Sequence, residues 1–209
     1  MTNRAQQLIT SLNESLDDTK PSNVTDDILS IQGFSGAKYK RFANRLLSKE
    51  IVKNYLEIGV WKGSTAIAAL RGNHKRLNYT VIDDFSEFGG PRQEFVDNWK
   101  RLIGGEPNLI DQDCFSFNPI ERGISNIDVY FYDGEHQEIN QYRALQHYYD
   151  AMADTFIFMV DDWSWAKVQN GTYRAINELG FKTLHKQEFY GSDDSNGWWN
   201  GCGIFVLQK

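Results

Sequence analysis

The stretch NYLEIGVWKGSTAIAAL, residues 54–70, constrains this chain most: a run of strand formers meets two glycines and then a helix-forming tail. Tyr55, Leu56 and Ile58 favour a pleated strand. Gly59 and Gly63 let the backbone pass close to a ligand, and Ser64 or Thr65 can cap the helix that follows. Glu57 ends the strand as a fixed carboxylate, with Trp61 in the turn beyond it. Strand, glycine turn and helix in that order make a nucleotide-type cofactor site. A dinucleotide turn spaces its glycines G-x-G-x-x-G so that amide N–H groups cradle a pyrophosphate. Here the turn is E-x-G-x-x-x-G, with Val60, Trp61 and Lys62 between the glycines, which argues against a diphosphate and so against an NAD-dependent dehydrogenase. The competing reading is an ordinary strand-turn-helix of an α/β core.

Downstream, apolar runs alternate with helical stretches, the signature of a parallel sheet built from βαβ units. Strands are predicted near 79–82, 108–110, 127–132, 155–160, 181–186 and 203–207, and helices over 65–71, 92–103, 138–152 and 169–178. The last two strands have no helix-length segment between them, so they form an antiparallel pair joined by the loop FYGSDDSNGWWNG. Ahead of the first strand, Leu8, Ile9, Leu12 and Leu16 fall at helical spacing, and AKYKRFANRLLSK reads as a second amphipathic helix. This N-terminal helical extension, residues 1–50, is a lid, a dimer contact or a layer packed on the sheet, and residues 51–209 form the main domain. The fold class is therefore α/β, a Rossmann-like doubly wound sheet.

Acidic residues fall at the strand ends: Glu57, Asp83 and Asp84, Asp113 shortly after the third strand, Asp133, and Asp161 with Asp162. Ligands of open α/β sheets bind along that edge. Carboxylates gathered there raise one another's pKa unless cations or ligand hydroxyls accept them. FYDGEH, 131–136, and MVDDWSW, 159–165, bring Asp133, Asp161 and Asp162 to neighbouring strand tips. Oxygen-only ligands suit a hard cation such as Mg²⁺. Alternatively, Asp133-Gly134 makes a tight turn and Asp162 caps a helix.

E-x-G-x-x-x-G-[ST] resembles the first motif of class I S-adenosylmethionine-dependent methyltransferases in their catechol-type O-methyltransferase form. The resemblance spans roughly 54–209. It implies a cofactor held by Glu57, Gly59, Trp61, Gly63, Ser64, Thr65 and Asp133, with Asp83 on the ribose hydroxyls and Asp113 and Cys114 near the adenine. It also implies a metal site at Asp133, Asp161 and Asp162, as in the cation-dependent enzymes that act on catechols, sugars and antibiotics. Two departures stand out. Ala153-Asp154-Thr155 replaces the usual Pro-Gly-Gly before the fifth strand, and Glu135, followed by His136, replaces a second Asp after the metal acid. Either can take a proton from an acceptor hydroxyl, His136 more easily at an unperturbed pKa near 6.5.

A net charge of −6 disfavours a nucleic-acid surface and leaves a small-molecule acceptor as the expected partner, with a homodimer open. Two cysteines are too few for a disulfide framework, and the N-terminal residues carry no apolar run for a signal peptide or membrane span, so a cytoplasmic protein is expected. The expected activity is methyl transfer to a small-molecule hydroxyl, with Trp61, Trp163 and Trp165 as candidate walls of the site. The alternative is a non-catalytic or regulatory cofactor-binding module.

Overall fold

Seven strands form one sheet in the order β3-β2-β1-β4-β5-β7-β6. The computed structural model describes residues 2–191 and 194–209. The strands are β1 (Asn54–Ile58), β2 (Asn78–Ile82), β3 (Leu109–Ile110), β4 (Ile127–Tyr132), β5 (Met152–Asp161), β6 (Lys182–Phe189) and β7 (Cys202–Gln208). β1 to β5 are parallel, while β7 runs antiparallel between β5 and β6, as the missing crossover helix requires. Because Ile58 stands level with both Ile82 and Tyr132, and Tyr132 with Val160, the residues after β1, β2, β4 and β5 emerge along one edge.

Helices cover both faces, so central strands such as IDVYFY are buried along their whole length rather than on alternate residues. Val129 and Phe131 point into one core with α1 (Asn3–Ser15), α3 (Ala37–Leu47), α4 (Ser64–Leu70) and α5 (Arg92–Leu102). Tyr130 and Tyr132 point into the other with α6 (Glu138–His147) and α7 (Ala166–Glu178).

The N-terminal helices contribute to the first core. Leu8, Leu12, Phe42 and Leu46 are fully buried in the first cluster. Arg45 locks α3 to α1 by donating to the Ser15 carbonyl at 2.7 Å and to Asp18 at 2.8 Å. Arg4 pairs with Asp128, whose carboxylate also accepts the Lys53 and Asn54 amides at the start of β1. A short α2 (Asp26–Leu29), absent from the sequence reading, packs against α4.

The helix expected over 138–152 stops at His147, and a 3-10 turn at Tyr149–Ala151 leads into β5. Tyr148, fully buried, donates to the Cys114 carbonyl at 2.8 Å, and Met152 pairs with Ile127, so tertiary contacts overrule the helical pattern. Ala153-Asp154-Thr155 therefore lies inside β5 and not in a turn before it. No helix among the described residues is long and apolar enough to cross a membrane.

Candidate active site

A cavity of about 620 Å³ opens on the carboxyl edge, bordered by the turns after β1, β2, β4 and β5. At its centre Gly59 takes φ +84°, and a Cβ there would meet the Asp133 carbonyl oxygen at 1.9 Å. Only glycine lets these two strand tips pack so closely. Gly63, at φ +88°, is itself the N-cap of α4, so neither Ser64 nor Thr65 caps the helix. Thr65 instead turns inward and hydrogen-bonds Glu57.

Glu57 is fully buried and also accepts from the Tyr55 hydroxyl at 2.5 Å. Burial pushes its carboxyl up to about 8, although both hydroxyl donors act the other way. Glu57 and Gly63 thus lie behind the cavity wall, Glu57 as a brace, whereas Gly59, Trp61, Ser64 and Thr65 line it. The Ser64 hydroxyl has no protein partner.

Asp83 accepts the Trp61 and Phe85 amides, both at 2.7 Å, and so ties the turn after β1 to the turn after β2. Burial raises its pKa, opposed by those amides. It is at once a turn residue and a carboxylate on the cavity wall. Asp113 and Cys114 line the same cavity; Asp113 accepts the Phe115 amide at 2.8 Å, and burial pushes the Cys114 thiol up to about 12. Arg143 of α6 lies over the Phe115 ring at 4.2 Å.

Asp133, Asp161 and Asp162 converge as the sequence suggested, but His136 stands among them. Its Nε2 lies 2.9 Å from Asp162 Oδ2 and 3.6 Å from Asp133 Oδ1, ion-pair distances off the line of a good hydrogen bond. Burial alone would lower the imidazole's pKa; the contacts and charges of Asp133 and Asp162 outweigh it and raise it to about 9. The two carboxylates therefore favour the protonated form of His136, whereas the sequence reading took an unperturbed value near 6.5. Burial raises the carboxyls of Asp133 and Asp161, and the negative charges of Asp133 and Asp162 push Asp161 further the same way. Asp162 sits at φ +53°, and the N-cap of α7 is Trp165, with no side-chain cap. Glu135, exposed at the cavity rim, accepts from Asn140.

As metal ligands the acids do not fit. Among the described residues, no group of three His, Cys, Asp or Glu side chains is arranged to hold a metal ion. The His136 ring, set between Asp133 and Asp162, offsets in its protonated form part of the charge a divalent cation would otherwise meet.

Sequence reasoning offered the N-terminal extension as a lid without naming the residues that line the wall. Gly33, Phe34 and Ser35 come from the loop between α2 and α3, which is clipped to the loop between β6 and β7: the Ala37 amide donates to the Ser195 carbonyl at 2.8 Å. Phe88, Asn140 and Arg143 also line the cavity, and no motif marked them. Of the tryptophans, Trp61, Trp165 and Trp199 are walls. Trp163 is fully buried, donates to Glu188 at 3.2 Å and belongs to the core. Trp198 stacks on Phe189 at 3.9 Å.

No family model matches the chain, and no curated protein matches it. Solved structures do resemble it. The O-methyltransferase TomG of Streptomyces achromogenes, involved in tomaymycin synthesis and solved with S-adenosylmethionine, superposes with a TM-score of 0.68 over 100% of both chains at 10% identity. An O-methyltransferase from Bacillus cereus, solved with S-adenosylhomocysteine, gives 0.62 over 97% of this chain and 91% of its own at 13% identity. The S-adenosylhomocysteine-bound Podospora anserina methyltransferase PaMTH1 gives 0.61 over 100% and 89% at 11% identity. The chain has the fold of the class I S-adenosylmethionine-dependent O-methyltransferases.

Proposed function

We propose that the protein is an S-adenosylmethionine-dependent methyltransferase acting on a hydroxyl of a small molecule. The observation that carries this reading is one cavity bordered by two distinct sets of residues at different strand tips. Gly59 and Asp83 border it after β1 and β2, and the His136–Asp162 pair borders it after β4 and β5. The cofactor occupies the first part and the acceptor hydroxyl approaches the second.

The hydroxyl oxygen attacks the sulfonium methyl in line; the carbon–sulfur bond breaks with its electrons going to sulfur, and S-adenosylhomocysteine leaves. Alignment supplies most of the acceleration, because the methyl is already activated. The hydroxyl proton passes to His136 in its neutral form. Asp133 and Asp162 hold its pKa up, and a cationic cofactor, when bound, would offset part of their charge and so favour the neutral imidazole. Glu135, more exposed, is the second candidate for that proton. No step is assigned to a divalent cation.

A non-catalytic cofactor-binding module is the weaker reading, since holding a cofactor gives no use for a half-buried ion pair at the acceptor end. Incubation with labelled S-adenosylmethionine and a panel of hydroxylated acceptors separates the two. Release of S-adenosylhomocysteine that depends on acceptor supports the enzyme; cofactor binding without release over the whole panel favours the module.

A further inference from the structure

Four aromatic rings from four separate segments meet at the mouth of the cavity. Phe34 stacks on Trp61 at 5.2 Å and lies 6.0 Å from Phe88 and 6.1 Å from Trp199; Trp61 and Phe88 are 6.1 Å apart. Burial does not account for the cluster, because Phe34 and Phe88 remain 52% and 70% exposed. Nor is the backbone relaxed: Trp61, Phe88 and Trp199 hold φ of 43°, 50° and 52°, a left-handed conformation that bulky side chains seldom adopt. Strain of this kind gathers where a ligand is held.

The charge around the rings gives that ligand its chemistry. Asp84 and Glu87 precede Phe88 in the same loop and line the cavity, and neither has a cationic partner among the described residues. Along the whole cavity wall carboxylates outnumber the cations, which are His136 and Arg143. Neighbouring rings already receive ammonium groups: Lys62 Nζ lies 4.8 Å from the Trp61 ring centre and Lys167 Nζ 5.2 Å from that of Trp165. Aromatic faces backed by carboxylates are the chemistry that selects a poorly hydrated cation over an uncharged group of the same shape.

Resting on the methyltransferase reading above, we infer that the acceptor carries an ammonium group as well as its hydroxyl. The ammonium sits on the open faces of Phe34, Phe88 and Trp199, with Asp84 and Glu87 as its counter-charge. Asp133 and Asp162 already face His136, which leaves Asp84 and Glu87 for the acceptor.

The test compares choline with its uncharged carbon analogue, 3,3-dimethylbutanol, by calorimetry on the whole protein, both saturated with S-adenosylhomocysteine and without it. Choline binds about tenfold more tightly than the analogue, the size of one partly desolvated cation–π contact, and the preference shrinks with added salt. Glu87→Gln and Phe88→Leu, both exposed, each weaken choline severalfold and leave S-adenosylhomocysteine affinity unchanged. Equal or tighter binding of the analogue shows a merely apolar mouth and overturns the inference, as does failure of both probes to bind. Failure of S-adenosylhomocysteine to bind overturns the cofactor reading instead, and the cofactor-free arm still decides the ammonium.

Discussion

Gly59 packs against the backbone of Asp133 so closely that a Cβ would lie 1.9 Å from the Asp133 carbonyl oxygen. The contact seals the join between β1 and β4, whose tips are also held by the Asp133 amide donating to the Ile58 carbonyl at 2.9 Å. The glycine is thus required by the protein's own backbone before any ligand arrives.

Gly59→Ala consequently destabilises the fold by about 2–4 kcal/mol, from overpacking together with a left-handed backbone that alanine tolerates poorly. Urea denaturation measures this. A variant as stable as the parent that has merely lost cofactor affinity would show that the glycine serves the ligand's approach alone.

Asp83→Ala weakens S-adenosylhomocysteine binding by about 1.5–3 kcal/mol, the range for hydrogen bonds to a charged group. It also lowers the melting temperature, since the Trp61 and Phe85 amides lose their acceptor. Calorimetry beside a thermal melt divides the roles; a lowered melting temperature with unchanged affinity reduces Asp83 to a turn residue.

Stability falls as pH rises from mildly acidic to alkaline. Glu57 has a folded pKa raised from 4.5 to about 8, and His136 one raised from 6.5 to about 9. A raised folded pKa contributes stability that is complete below the unfolded value and lost as pH climbs through the folded one. Melting temperature should therefore decline between pH 5 and 9, and Glu57→Gln, uncharged throughout, should flatten the part below about 8. A parent protein whose melting temperature rises over that interval contradicts the assignment.

Methyl transfer at saturating cofactor should speed up with pH and level off at or below about 9, as His136 loses its proton. His136→Gln removes the inflection and slows turnover by about 100-fold, the lower end for general base catalysis. If the inflection survives in the variant, the proton goes elsewhere, and Glu135→Gln is the next measurement.

Added Mg²⁺ should leave the melting temperature unchanged, because His136 already supplies the cation between Asp133 and Asp162. A rise of several degrees that disappears in Asp161→Asn would mean that the acids rearrange into ligands.

The sequence by itself determined the order of elements, the parallel sheet with its antiparallel close, the glycine turn and the row of acids along one edge. These follow from spacing: strand formers before Gly59, acids immediately after apolar runs, and no helix-length segment before β7. What each side chain does there was decided by tertiary structure. Glu57 and Asp83 look alike in sequence, each an acid at a strand end, yet one is sealed beneath the cavity and the other borders it. His136 reads as an ordinary histidine near pKa 6.5 until the tip of β5 brings Asp162 within 2.9 Å. Phe34, Phe88 and Trp199 lie far apart along the chain and carry no motif; only the folding of three loops onto one edge makes them a mouth. The physical reason is range. Backbone preferences act over a few residues and are written locally, whereas burial, charge pairing and pKa depend on neighbours that sequence distance does not reveal.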